Sequence, residues 1–160
     1  MNLKFSTTFT VMPKHTNYMF PMIFGGAFFS EIDLCAAQTV NRLLHDSKTA
    51  RAAVTHKFTG TYHKPTFVGD LIFLHGEVVG LGYKSIVVHV RAFREKRGVA
   101  GQDFVAEAEF VFVTVRDTDD VQNRPDFLPY AHHGLRMPAD SSVPPLSAEM
   151  PVEEVRGTTA

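Results

Sequence analysis

A chain of 160 residues is long enough for one domain with a buried core, and 44% hydrophobic with 21% charged residues describes an ordinary globular protein. The formal net charge is −1 and no block of lysines or arginines marks a nucleic-acid surface, so nucleic-acid partners are not expected. The apolar runs are too short to span a bilayer, and residues 1–12 carry threonines and a serine where a signal segment would be apolar. No membrane partner is expected. The single Cys35 cannot close an internal disulfide, which predicts a reducing, cytoplasmic setting.

Residues 3–12 are rich in β-branched and aromatic types and predict a first strand. Pro13 ends it, because proline cannot donate to a sheet ladder. Lys14 to Met22, broken again at Pro21, reads as a loop leading into a helix over about residues 24–45. Gly25-Gly26 open that helix, where backbone can approach a ligand closely and unpaired N–H groups point outward. The run behind them is apolar on nearly every side, which predicts a helix wrapped by other structure.

Two acids, Glu31 and Asp33, interrupt this run. A buried carboxylate is costly without a partner, so at least one of them is expected to have a task. Helical spacing aligns Gly26, Phe29 or Ser30, Asp33 and Ala37 on one stripe and turns Glu31 sideways, which favours Asp33. The plainer alternative is a core helix with one acid facing solvent.

After Arg51 the pattern becomes extended. Ala53–Tyr62 alternates Val54, His56 and Phe58 against Thr55, Lys57 and Thr59, with Gly60 a candidate bulge. His63-Lys64-Pro65 is a loop and Gly69-Asp70 a turn. Leu71–Leu81 is a strand interrupted by Gly76, residues 80–84 turn the chain, and Ser85–Arg94 and Phe104–Val115 complete the strands. Four consecutive strands joined by short turns predict an antiparallel sheet with one helix on one face, an α+β domain over residues 1–116. A curved sheet wrapped around one long buried helix is the arrangement called a hotdog. Such a sheet leaves an edge and a face incompletely covered, so a homodimer or a higher oligomer built from dimers is expected. Residues 117–160 carry acids and then closely spaced prolines, and predict an extended tail with 127–130 as a short anchor.

Placed on these elements, the motifs line up with a family. Met12-Pro13-Lys14-His15-Thr16-Asn17, Ile23-Phe24-Gly25-Gly26 and Ile32-Asp33 resemble the hotdog-fold acyl-CoA thioesterases of the YciA and brain acyl-CoA hydrolase type. Lys64-Pro65…Gly69-Asp70, Gly80-Leu81-Gly82-Tyr83-Lys84-Ser85 and residues 106–113 extend the likeness over residues 1–116. The chain departs from the pattern at His15, where the family usually has an acid, and in a loop from Asn17 to Gly25 that is one residue longer.

The resemblance implies hydrolysis of acyl-CoA without a cofactor or metal. Asp33 would act as general base on water or as direct nucleophile, helped by an apolar setting that raises a carboxyl pKa. The N–H of Gly26, at the positive end of the helix dipole, would receive the oxyanion, a donor worth roughly 3–4 kcal/mol of barrier in hydrolases. Asn17, from the other protomer, would orient water or carbonyl. Gly25, Lys64, Gly82, Lys84 and Ser85 would bind the coenzyme A moiety, the lysines by charge and Ser85 in a Gly-x-x-Ser turn. Each lysine also reads as a solvated turn residue. Cys35 reads as core, and Glu107 and Glu109 as solvent-facing strand residues. Two rivals are a hydratase or dehydratase on acyl thioesters, for which His15 is the only histidine near the helix start, and a non-catalytic acyl-CoA-binding protein.

Overall fold

The strands and the helix form where periodicity predicts them, in the order β1 (Lys4–Thr10), a 3-10 turn (Pro13–His15), β2 (Thr16–Asn17), β3 (Phe20–Ile23), α1 (Gly25–Leu44), β4 (Ala52–Tyr62), β5 (Leu71–Leu81), β6 (Ser85–Glu95), β7 (Asp103–Arg116) and β8 (Asp126–Pro129). This computed structural model describes residues 3–17, 19–45, 52–116 and 126–129. The expectations for the rest of 117–160, including Tyr130 of the anchor, lie outside the described residues. Residues 126–129 do pair with the end of β7, Val115 opposite Pro129.

The main sheet is antiparallel in the order β1-β5-β6-β7-β4, with β8 beside β7. The expected run of four hairpin-joined strands therefore holds only for β5, β6 and β7. β4 pairs with β7 and stands at the opposite side of the sheet from β1. The link from β4 to β5 is no hairpin because its backbone groups are used elsewhere. Thr66 O accepts from Ile23 N, Val68 N donates to Pro21 O, and Gly69 N donates to Val11 O, each at 2.9 Å. Those bonds carry the chain across the end of the sheet, beneath the helix start. The segment expected as a loop before the helix instead contains a short hairpin, since β2 and β3 pair.

One face of α1 supplies Phe28, Ile32, Cys35, Ala36, Thr39, Val40, Leu43 and Leu44 to the core, every third or fourth residue as an amphipathic helix requires. The facing sheet residues, such as Ile72, Leu74, Val88, Val90 and Phe110, are fully buried. The helix is not wrapped on all sides, as its apolar sequence predicted. Leu34 on the outer face is 54% exposed.

Gly76 explains how closely the helix lies on the sheet. A Cβ there would collide with Thr39 Oγ1 and sit 3.4 Å from Cys35 Sγ. The Thr39 hydroxyl is in turn fixed by donating to Cys35 O at 2.8 Å. Gly76→Ala is expected to destabilise the fold by about 1–3 kcal/mol in urea unfolding, the range for overpacking a core. Adding Thr39→Ala should recover part of that loss, because it removes the obstructing oxygen.

Candidate active site

α1 starts without the side-chain cap that usually satisfies first-turn donors. Its N-cap is Phe24, and no acid stands in its first turn. Phe28 N donates to Phe24 O at 3.0 Å, so the intrahelical ladder begins there. The N–H groups of Gly25, Gly26 and Ala27 have no intrahelical acceptor, and the helix dipole makes that end electropositive. The β2–β3 hairpin is tied to this point, since Phe24 N donates to His15 O at 2.8 Å. Asn17 lies on that hairpin, half-buried, with Oδ1 accepting from Met19 N at 3.2 Å. Its amide nitrogen remains as the donor.

Beside the helix start is a cavity of about 250 Å³, lined by Met22, Ile23, Gly25, Phe28, Tyr62, His63, Lys64, Pro65 and Thr66. Tyr62 Oη donates to Gly25 O at 2.6 Å, and its ring stacks on Phe28 at 5.6 Å between centroids. Thr66 is buried, and its Oγ1 has no hydrogen-bond partner among the described residues. Arg94, 5% exposed, braces the cavity loop from below. Its guanidinium donates to Pro65 O and to Asp103 Oδ2, the latter at 2.8 Å, with Asp70 Oδ2 3.8 Å away. Lys64 Nζ pairs with Asp103 Oδ1 at 3.3 Å. Arg94, and after it Lys64, hold the Asp103 carboxyl below the usual range.

Asp33 stands elsewhere. It lies two turns along α1 from Gly26, about 10.5 Å at 1.5 Å per residue. It flanks the core face, against β4, where Thr55 hydrogen-bonds its carboxyl. Asp33 Oδ1 is buried without a partner among the described residues. Desolvation raises the Asp33 pKa, and the Thr55 hydrogen bond opposes part of that rise. Thr55 is opposite Phe112, and Phe112 is opposite Ile86, so Asp33 sits at the Ser85 end of the sheet. There Gly82 N donates to Ser85 O at 2.9 Å, and Lys84 is exposed.

The expected site residues thus fall into two groups within one chain. Asn17, Gly25, Gly26 and Lys64 gather at the helix start. Asp33 lies at the far end, where Gly82, Lys84 and Ser85 form the nearby turn. β4 spans the gap, with Tyr62 at its end and Thr55 roughly 20 Å back along the strand, counting about 3.3 Å per strand residue.

Thr55 and Tyr62 are the residues that sequence reasoning missed. Strict alternation sets Thr55 opposite to Phe58, yet the register shifts between Thr55 and Lys57, a bulge at His56 that puts both on the helix-facing side. The proposed bulge at Gly60 is absent, for Gly60 pairs regularly with Ala108. Glu107 is not merely solvated, since its carboxylate bridges His63 at 3.1 Å and His89 at 3.3 Å on the outer face. Cys35 is core, its thiol pushed up to about 11 chiefly by burial, too high for a nucleophile at neutral pH.

Residues 20–101, more than half of the chain, match the family described as the thioesterase superfamily. No curated protein sequence matches. Among solved structures, an acyl-CoA hydrolase from Staphylococcus aureus, in complex with butyryl coenzyme A, coenzyme A and coenzyme A disulfide, is 25% identical, with 76% of this chain and 69% of that one covered and a TM-score of 0.63. A hexameric broad-specificity acyl-coenzyme A thioesterase is 27% identical over 69% of this chain and 74% of its own, with a TM-score of 0.61. An apo-hexameric acyl-CoA thioesterase is 26% identical over 76% and 74%, with a TM-score of 0.62. With its single long helix lying on a curved antiparallel sheet, and with this family match over its central residues, the chain belongs to the thioesterase superfamily and has the hotdog fold.

Proposed function

We propose that this protein hydrolyses acyl-CoA thioesters to the free acid and coenzyme A, without a cofactor or metal. The observation that carries this reading is Asp33, whose carboxyl pKa is raised by desolvation and whose Oδ1 is buried without a partner among the described residues. A carboxylate in that state is a stronger base than one in water. The coenzyme A complexes and activities named for the similar structures support the choice of substrate.

In the proposed reaction ionised Asp33 takes a proton from water, and the oxygen of that water bonds to the thioester carbon. The carbonyl electrons move to oxygen, where the N–H of Gly26 receives the charge. The oxyanion then reforms the carbonyl, the C–S bond breaks, and the proton on Asp33 passes to the departing thiolate. Asn17 supplies an amide donor for the water or the carbonyl. Gly82, Lys84 and Ser85 at one end, and Lys64 with Gly25 at the other, are the proposed contacts for the coenzyme A phosphates and pantetheine arm.

A dimer completes the site in this reading. β4 is an eleven-residue edge strand whose last eight residues are all exposed, a surface that invites another strand. Antiparallel pairing of two copies of β4 about a two-fold axis near residues 58–59 would set Thr55 opposite the partner subunit's Tyr62. Asp33 of one chain would then face the helix start of the other. The exposed Phe24 and Phe58, 57% and 56% accessible, would be covered by the same pairing. The hexamers named among the similar structures support an oligomer assembled from such dimers. The free, buried Cys35 supports a reducing, cytoplasmic setting. No helix among the described residues is long and apolar enough to cross a membrane.

Thiol release over a panel of acyl-CoA chain lengths tests the activity. Turnover is expected for the wild type, with a loss of about 10²–10⁴-fold in kcat for Asp33→Ala, the usual scale of general-base catalysis. Hydration of an enoyl-CoA without thiol release, or tight acyl-CoA binding without turnover, would replace this reading with one of its rivals. Thr55→Val removes the hydrogen bond that lowers the Asp33 pKa, so that pKa rises. Since the base must be ionised, the acid limb of kcat/KM should move to higher pH. The shared site is tested by co-expressing Asp33→Ala with Gly26→Pro, which removes the donor N–H at a position in the first helical turn where proline fits. Each variant alone should be nearly inactive. In random mixed dimers, half the assemblies hold one intact site of two, so about a quarter of wild-type activity should return. No recovery in verified mixed dimers would place Asp33 and Gly26 of one site on the same chain.

A further inference from the structure

We infer that Tyr62 is a positioning residue of the oxyanion site, its hydroxyl setting the orientation and polarity of the peptide between Gly25 and Gly26. The inference rests on the reading of Gly26 as the oxyanion donor and goes one residue beyond it.

The carbonyl of Gly25 and the N–H of Gly26 are the two ends of one planar peptide unit, so whatever fixes one end aims the other. Tyr62 Oη donates to Gly25 O at 2.6 Å, near the short end of the range for O–H···O bonds. The bond adds to the hold the helix itself provides, since Gly25 stands in the first turn of α1 and its carbonyl also faces Phe29 N along the helical ladder. Two successive glycines still leave that peptide more freedom than bulkier residues would. A donor that must meet charge as it develops gains from being aimed in advance, and this one is aimed from behind. Donation to the carbonyl also polarises the amide and strengthens its N–H as a donor, by about 10–30% in chains of hydrogen bonds.

Three contacts keep the hydroxyl in place. The ring lies nearly parallel to Phe28, with 22° between planes. Its Cε2 edge lies against Gly25, 3.5 Å from where a Cβ would stand. The backbone is anchored in β4, with Tyr62 opposite Ala106 of β7. Desolvation raises the phenol pKa above its usual value near 10, so the donor keeps its proton through the working range.

Tyr62→Phe removes the hydroxyl and keeps the stacked ring. The expected result is a fall in kcat of roughly tenfold, below the 10²–10³ for deleting an oxyanion donor outright because the N–H itself remains. KM, coenzyme A affinity, the acid limb of the pH profile and the melting temperature should stay within twofold or within a degree or so of wild type. Affinity for an acyl-CoA trifluoromethyl ketone, which forms a tetrahedral oxyanion on the enzyme, should fall in parallel with kcat. A kcat within twofold of wild type, or a loss confined to KM or thermal stability, overturns the role of Tyr62. If Gly26→Pro, which lacks the N–H, keeps full kcat, the oxyanion reading itself fails, and this inference with it. If Gly26→Pro is inactive while Tyr62→Phe is normal, only Tyr62 is misassigned. A wild type that releases no thiol from any acyl-CoA overturns both.

Discussion

The seating of α1 on the sheet depends on a side chain that is missing. Gly76 lets Thr39 and Cys35 settle directly on β5, and Thr39 spends its hydroxyl on the helix's own backbone instead of leaving it orphaned in the core. With that contact set, the helix can bury only one stripe. Asp33 falls on the flank beside that stripe, against β4, and Gly26 is exposed at the helix start. The setting of Asp33 is therefore dry enough to perturb its carboxyl without enclosing it in the core. A bulkier residue at position 76 would move the helix outward and alter both ends of the site together.

In the proposed dimer, β4 ties the chemistry to the assembly. It presents Thr55 to Asp33 and Tyr62 to the helix start, and it also forms the exposed side of the sheet. A long edge strand with exposed aromatics is an aggregation hazard when nothing covers it. The same strand separates the two groups of site residues within one chain, so a second copy paired along it would meet both needs at once. Stability and site completion would then share one interface, and weakening the interface would cost activity before it cost the fold.

Two features of the site are unfavourable for an isolated fold. An uncapped helix start forgoes about 1 kcal/mol, and a partly buried carboxyl with an unpartnered oxygen carries a desolvation cost. Both suit the proposed reaction, in which N–H donors stay open for an anion and a base stays poorly solvated. The adjacent Arg94 guanidinium donates to Pro65 O and Asp103 and pairs with Asp70, although its Nε and the Thr66 hydroxyl are also buried without partners among the described residues. That cluster holds rigid the loop on which the cavity is built.

Much of this was legible in the residues themselves. The predicted helix over about 24–45 is Gly25–Leu44, and the strand read at Leu71–Leu81 has those same ends. Hydrophobic spacing and proline breaks report which side of a segment is dry, and that is a local property. The motif at Gly25-Gly26 and the stripe through Asp33 were legible for the same reason. Which segments become neighbours is not local. The pairing of β4 with β7, the bulge at His56 that turned Thr55 inward, and the hydroxyl of Tyr62 on Gly25 arise from contacts between residues 37 to 63 positions apart, or from a register that such contacts set. So the sequence determined the elements, the fold class and the acid most worth watching. Tertiary structure alone decided that Asp33 and Gly26 stand beside different parts of one strand, because strand order and register are settled by long-range pairing that leaves no periodic trace in the chain.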